Sequence, residues 1–246
     1  MKGAYLGPSY SDDYVEKKLK EFGADFKKLS YVEIISETVD NLIKKKAIGW
    51  FQGRMEFGPR ALGNRSIIAD PRDENMQKKL NMKVKFRESF RPFAPAILKD
   101  KVDNYFNMSK ESPYMLLVSE LREQLKKPMN DKEKNFFGID KLNVKRSEIP
   151  SVTHVDYTSR IQTVDEKSNK KFYDLIHQFY KKTNCPLIIN TSFNIRSEPI
   201  VNNPDDAFRC FMGTNLDVLV INNFIMYKEN QKKHLIKDYK SNFELD

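Results

Sequence analysis

Apolar residues recur along this chain at two spacings, and the alternation between them sets the expected fold. A helix is predicted from Ser11, with Val15, Leu19 and Phe22 on one face, Asp12 and Asp13 in its first turn, and Gly23 as its stop. A second begins at a capping box of Ser30 and Glu33 and carries Ile35, Val39, Leu42 and Ile43 at helical spacing. Its last turn reads as Lys44, Lys45 and Lys46, which suit the negative end of the helix dipole. Short apolar runs predict strands over 48–51, 67–69, 93–98, 114–118 and 186–189, those at 114–118 and 186–189 being buried. Residues 4–6 read as a short strand or lead-in, and 152–164 as strand, turn, strand around Asp156 and Tyr157. Further helices are expected from about Asp73 with Met76 and Leu80 inward, briefly at Val102, Tyr105 and Phe106, and along the face Phe172, Leu175, Ile176 and Phe179. Asn203 caps another with Pro204 in its first position, Ala207, Cys210 and Phe211 inward, and Gly213 as the stop. Runs at 216–221 and 224–227 flank Asn222 and Asn223, a hairpin turn.

Strands alternating with helices, with some hairpins, argue for a mixed α/β sheet. Residues 122–149 interrupt the pattern: they are polar and aperiodic, and read as an exposed excursion, since core-like segments resume on both sides. Residues 1–230 are therefore expected to form one domain, followed by a basic, polar tail over 231–246.

Composition adds a sign to this picture. Lys and Arg number 43 against 34 Asp and Glu in 246 residues, a formal net charge of +9. That excess fits an anionic ligand, nucleic acid, a membrane surface or an acidic partner, without choosing among them. Cys185 and Cys210 lie far apart in apolar contexts, as buried thiols of a reducing compartment do. No signal peptide and no apolar run near the length of a membrane span is visible, so a cytoplasmic protein without membrane contact is expected.

The candidate chemistry concentrates between Gly49 and Leu98. A turn holding Gly53, Gly58, Pro59 and Gly63 follows the strand at 48–51, and Arg54, Arg60, Arg65, Lys85, Arg87 and Arg91 lie within or after it. Glycines let backbone approach a ligand, and arginine forks match phosphate or carboxylate oxygens in pairs. These cations sit among Phe57, Pro59, Leu62, Phe90, Pro92, Phe93 and Pro95, which suggests a partly dry anion pocket; the alternative is a set of structural arginines tying loops together. Neither the G-x-x-x-x-G-K-[ST] loop nor a strand-linked G-x-G-x-x-G is present, so any nucleotide site must be built from side chains. No Cys/His cluster has metal-ligand spacing, and no metal site is predicted. Ser192 as a nucleophile would need an activating base, and none is visible, so it is assigned a binding role. His154, beside Asp156, can orient a ligand, shuttle a proton or simply bond within the core; His177 and His234 are read as bystanders.

The segments GWFQGRMEFGPRALGNRSIIADPR and LNMKVKFRESFRPFAPAIL resemble the C-terminal domain of the O-carbamoyltransferase family of nodulation-factor and antibiotic biosynthesis. HVDYTSRIQTV, NTSFNIRSEPIV and PDDAFRCFMGTNLDVLVI match the same pattern in the same order, so the resemblance covers about residues 4–226. It implies a YrdC-like fold, a twisted open mixed sheet flanked by helices with a basic concave face. It places Arg60, Lys85, Arg91 and Arg160 at basic positions of a nucleotide and carbamoyl-phosphate pocket, adds Asn190, Ser192 and Asn194 as neutral donors, and gives Lys85, Arg91 and His154 catalytic parts. Arg91, between Phe90 and Pro92, is expected to have its fork pre-aimed at phosphate, with Lys85 a more mobile point charge.

The implied reaction makes carbamoyl-adenylate from carbamoyl phosphate and ATP, the ATP carrying Mg2+ as a substrate complex. Transfer to an acceptor hydroxyl belongs to an N-terminal domain of the sugar-kinase/actin-like fold, where iron is also expected. None of that domain is in this sequence, so a separately encoded domain or subunit is the expected partner. Two alternatives remain: a non-catalytic YrdC-like nucleic-acid-binding module and an interaction subunit. Interleaved stacking aromatics of the RNA-binding kind are missing, which weighs against nucleic acid.

Overall fold

The structure, a computed structural model, describes residues 3–235 of the chain. Helix α1 (Asp12–Glu21) starts where the Ser11 hydroxyl accepts from the Tyr14 N–H, and buries Val15 and Leu19. After the two-residue strand β1 (Lys27–Lys28), the reciprocal Ser30–Glu33 capping box opens α2 (Tyr31–Ile43), which buries Ile34, Ile35, Val39 and Leu42. Strands β2 (Ile48–Phe51) and β3 (Arg65–Ala69) follow, then α3 (Met76–Leu80) running directly into a π-turn over Asn81–Lys85. Next come β4 (Ala94–Leu98), α4 (Val102–Tyr105) and β5 (Leu117–Glu120). Short helices α5 (Asp131–Lys134) and α6 (Gly138–Leu142) lie in a segment closed at its base by a bridge between Lys126 and Ser147. The chain then builds β6 (Thr158–Val164), α7 (Lys170–Thr183), β7 (Leu187–Ser192), α8 (Pro204–Gly213), β8 (Val218–Ile221) and β9 (Phe224–Tyr227).

Among the described residues, nine strands join one open sheet in the order β1-β9-β8-β2-β3-β7-β4-β6-β5. The pairs β2/β8 and β4/β6 are parallel, and the rest are antiparallel. Strands β2, β3, β4 and β8 are buried along their whole length, as central strands covered on both faces must be. α7 packs on β4, β7 and α2, while α8 packs on β2, β8 and α1. The expected mixed α/β open sheet flanked by helices is the observed architecture. Among the described residues no helix is long and apolar enough to cross a membrane.

Several local expectations are corrected. Residues 4–6 are the lead-in and not the strand: the backbone of 4–7 bonds to the turn after β2, through Gly7 N–H to Met55 O and Phe57 N–H to Ala4 O, but too few residues pair to make a ladder. The lysine run lies beyond α2 rather than in its last turn, because the helix stops at Ile43 and Lys45 turns left-handed at φ 59°. Residues 114–118 are not a buried strand. β5 is a sheet edge, and Leu116, Leu117 and Val118 are 66%, 42% and 60% exposed. An apolar run looks the same in sequence whether or not a neighbour covers it. Residues 152–157 hold the end of a 3-10 turn (Pro150–Val152) and then a tight turn with Tyr157 at φ 62°, so only the second half of 152–164 is strand. The expected basic tail lies, from residue 236 onward, outside the described residues.

Candidate functional site

The turn that carries Arg60 is held by a buried carboxylate. Glu56 Oε1 accepts the backbone N–H groups of Leu62 at 2.6 Å and Asn64 at 2.8 Å, which curls residues 57–63 over the end of the sheet. There Arg60 meets Arg160 from the start of β6, Asn190 and Ser192 from the end of β7, and Arg87 from the loop after the π-turn, around a cavity of about 130 Å3. Phe86 makes that loop possible by adopting φ 49°, and Asn81 holds it, accepting from Arg87 Nε at 2.7 Å and donating to the Ser89 and Arg91 carbonyls. Arg87 also stacks over Phe93, 5.1 Å from the ring centroid.

Cations crowd this cavity without carboxylates in its wall. Burial, and then the charge of Arg60, lowers the pKa of Arg160. Burial, and then Arg91, pulls Arg87 down to about 10. The Nε atoms of Arg60 and Arg160 are buried and have no hydrogen-bond partner. Buried cationic donors are costly unless something satisfies them, and an anion is the group that does. The volume suits a phosphate or carboxylate group; drug-sized ligands occupy clefts of roughly 300–1,000 Å3.

The arginines divide into those that line the cavity and those that bond backbone carbonyls elsewhere. Arg65 is fully buried in β3, donates to Gln52 O at 2.9 Å and Pro8 O at 3.1 Å, and lies 3.5 Å over the Phe51 ring. Arg54 donates to the Leu6 and Gly7 carbonyls. These two tie loops together. Arg91 does not line the cavity: its Nε pairs with Glu88 at 2.8 Å and its side chain is 43% exposed. Phe90, expected to help aim the Arg91 fork, is 55% exposed.

Lys85 is not the mobile charge expected of it. It ends the π-turn, is 4% exposed, and donates to Ser192 O, to Asn194 O at 3.0 Å and to Asn194 Oδ1 at 2.9 Å. It thereby clamps the 192–194 turn that forms one side of the cavity. Ser192 Oγ donates to Asn194 Oδ1 at 2.7 Å, and Asn194 Nδ2 to Glu198 O at 2.7 Å, so Asn194 shapes the turn rather than lining the cavity. Burial, and then Arg87, brings the Lys85 pKa down to about 7. An unfolded lysine titrates near ~10.4, so between these values the unfolded chain binds a proton that the folded chain lacks, and this residue's contribution to stability rises with pH. Below the lower value both states are protonated and the whole cost of the buried charge is present. Urea unfolding of wild type and Lys85→Met at about pH 7 and about pH 9 should show their difference moving in favour of wild type at the higher pH. A difference that does not change with pH would remove Lys85 as the titrating group.

His154 lies in a neighbouring cleft of about 500 Å3, with Phe90, Leu142 and Asp156; Pro92 is common to both spaces. Its imidazole bonds to the backbone of Phe93, and burial lowers its pKa against the opposing pull of Asp156. Cys185 and Cys210 are free and buried, each thiol pushed up to about 12 by burial. Among the described residues no group of three or more His, Cys, Asp or Glu could hold a metal ion. Sequence reasoning left Arg87 out of the ligand-binding set and did not see Asn81 at all. The available signal was a polar residue directly after the inward Leu80, where the helical pattern calls for more core.

Residues 39–228 match the family described as Carbamoyltransferase C-terminus. An uncharacterized protein of Synechocystis sp. is 47% identical over an alignment covering 100% of this chain and 40% of that protein. The nodulation protein NolO of Bradyrhizobium diazoefficiens is 37% identical, over 93% of this chain and 39% of NolO. Full-length HypF, solved in its phosphate- and nucleotide-bound form, aligns with 77% of this chain and 25% of its own at a TM-score of 0.49 and 16% identity. This chain therefore spans about 40% of the length of these two curated relatives.

Proposed function

This chain belongs to the carbamoyltransferase C-terminus family, and we propose that it forms carbamoyl-adenylate from carbamoyl phosphate and ATP. The observation that carries this is the small cavity walled by Arg60, Arg87 and Arg160, with two guanidinium Nε atoms left unpaired. Water cleaves carbamoyl phosphate to phosphate and carbamate. A carbamate oxygen then attacks the α-phosphorus of ATP, the bond from that phosphorus to the β-bridging oxygen breaks, and pyrophosphate leaves. Negative charge moves among phosphate oxygens in both steps, and fixed cationic donors stabilise such charge without reorganising.

The arginines hold the anionic end of carbamoyl phosphate, and Lys85 keeps the Ser192 turn in place against it. The adjoining cleft is large enough for the nucleoside of ATP and has Phe90 and His154 in its wall. Mg2+ arrives with the ATP phosphates as part of the substrate, since the cavity wall offers it no carboxylate. The region that makes up the rest of the relatives' length completes transfer to an acceptor hydroxyl, as an attached domain or a separate subunit, and any iron belongs there. The protein works in the cytoplasm, where ATP is supplied.

Purified chain is mixed with ATP, with and without carbamoyl phosphate, and pyrophosphate is measured. Release is expected only when both substrates are present. Equal release without carbamoyl phosphate would sink this reading.

A further inference from the structure

The wall of the anion cavity contains a fixed acceptor as well as cations. Asn190, on β7, is 1% exposed, and its Nδ2 donates to Ala61 O at 3.0 Å and to Gln162 Oε1 at 2.6 Å. Gln162, on β6 and 2% exposed, is fixed in turn because its Nε2 donates to Leu62 O at 2.9 Å. The consecutive carbonyls of residues 61 and 62 thus decide which end of each amide is nitrogen. Turning either amide over would set oxygen against oxygen. Asn190 has one group left, and it is Oδ1, buried and without a hydrogen bond. The same wall holds the two unpaired donors, Arg60 Nε and Arg160 Nε. A ligand that satisfies all three must bring oxygens for the arginines and a donor for the amide. Fully ionised phosphate oxygens cannot serve a carboxamide oxygen, since neither side then has a proton to give.

We propose that Gln162 and Asn190 read the amide of the substrate: they select an acyl phosphate bearing N–H over one bearing methyl at the same place. This rests on the reading above, in which carbamoyl phosphate is the ligand. Asn190 is the residue that touches the ligand. Gln162 is a positioning residue, which leaves the Asn190 oxygen as the end of that amide still to be paired by occupying its nitrogen. A methyl group in place of the amide nitrogen leaves Oδ1 buried and unpaired, and sites built around such a hydrogen bond reject the analogue lacking it.

Two stable phosphonates test this, because phosphonoacetamide and acetonylphosphonate differ only in NH2 against CH3. Their affinities, and that of inorganic phosphate, are measured by calorimetry for the full chain, Gln162→Leu and Asn190→Leu, with circular dichroism of each. Wild type is expected to prefer the amide by about tenfold or more. Gln162→Leu should lose most of that preference, and Asn190→Leu all of it. Equal binding of the two phosphonates by wild type would overturn the amide reader, and needs no variant to fold. In that case phosphate binding would leave the anion cavity standing. A preference that survives in Asn190→Leu would overturn the reader too. If phosphate and both phosphonates all fail to bind wild type, the anion cavity itself is wrong, and the amide reader goes with it.

Discussion

Arg160→Lys is expected to lower carbamoyl phosphate-dependent pyrophosphate release by about a hundredfold or more, while the protein keeps its fold. Arg160 leaves β6 opposite Val118 of the edge strand, so its backbone is set by sheet register rather than by a loop. Its Nη2 lies 3.9 Å from Met115 Sδ, a weak acceptor, and its Nε has no partner. The fork is therefore placed in the cavity by packing and still has donors to give. Lysine keeps one positive charge but cannot bridge two oxygens in a plane, and it loses its proton more readily beside Arg60. Removing a preorganised donor to developing charge typically costs roughly 2.7–4 kcal/mol, which is the hundredfold or more stated above. Initial rates of pyrophosphate formation for wild type and Arg160→Lys, with circular dichroism of both, decide the matter. A folded variant working near the wild-type rate would mean that Arg160 does not meet the reacting phosphates. On a diffuse basic surface that near-equality is the expected result, because such surfaces respond mainly to charge.

The other large effect is on the fold, and it comes from one methyl group. Gly63→Ala should leave little folded protein. Gly63 adopts φ +107°, and a Cβ built there would stand 2.3 Å from Phe172 Cδ1 and 2.5 Å from its Cγ. Phe172 is fully buried on α7, so the ring has no room to retreat. Shifting Gly63 instead would break its contacts: its carbonyl accepts Trp50 Nε1 at 2.9 Å and Gln52 Nε2 at 3.0 Å, and its N–H donates to Ser66 Oγ at 3.0 Å. Overpacking and backbone strain together put the cost above roughly 4 kcal/mol, against a total stability of about 5–15 kcal/mol for an ordinary domain. Gly58→Ala is the comparison. It too has positive φ, at +125°, but nothing lies within 4 Å of its Cβ position, so only backbone strain of about 1–3 kcal/mol applies. Soluble yield and urea midpoints of the two variants measure the contrast. A Gly63→Ala protein as stable as Gly58→Ala would show that Phe172 moves freely.

What was legible in sequence had local causes. Ser11, Ser30 and Asn203 announced helix starts because a cap is satisfied by N–H groups only three residues away. The strand at 48–51 and the hairpin at Asn222 were legible for the same reason, since apolar runs and turn residues act over a few positions. That a cationic site exists was legible too, from arginines set among glycines, prolines and aromatics. Which arginines form it was legible only in part: the resemblance pointed to Arg60 and Arg160, but also to Arg91, and it left out Arg87. Arg54, Arg60 and Arg65 come from one short stretch of similar composition, yet two hold backbone carbonyls and, of these three, only Arg60 reaches the cavity. Leu117 and Val118 look like core and lie exposed on the edge strand β5, because an apolar run does not record what packs on its faces. Lys85 looks like a surface charge and is buried, because the π-turn directs it beneath the end of β7. The sequence by itself determined the elements and the sign of the site's charge, since both are summed from near neighbours. Only the tertiary structure decided the members of the site and the lone acceptor on Asn190, because Arg60, Arg87, Arg160 and Asn190 meet through strand pairings between distant segments, and hydrogen-bond satisfaction can be counted only after those segments have met.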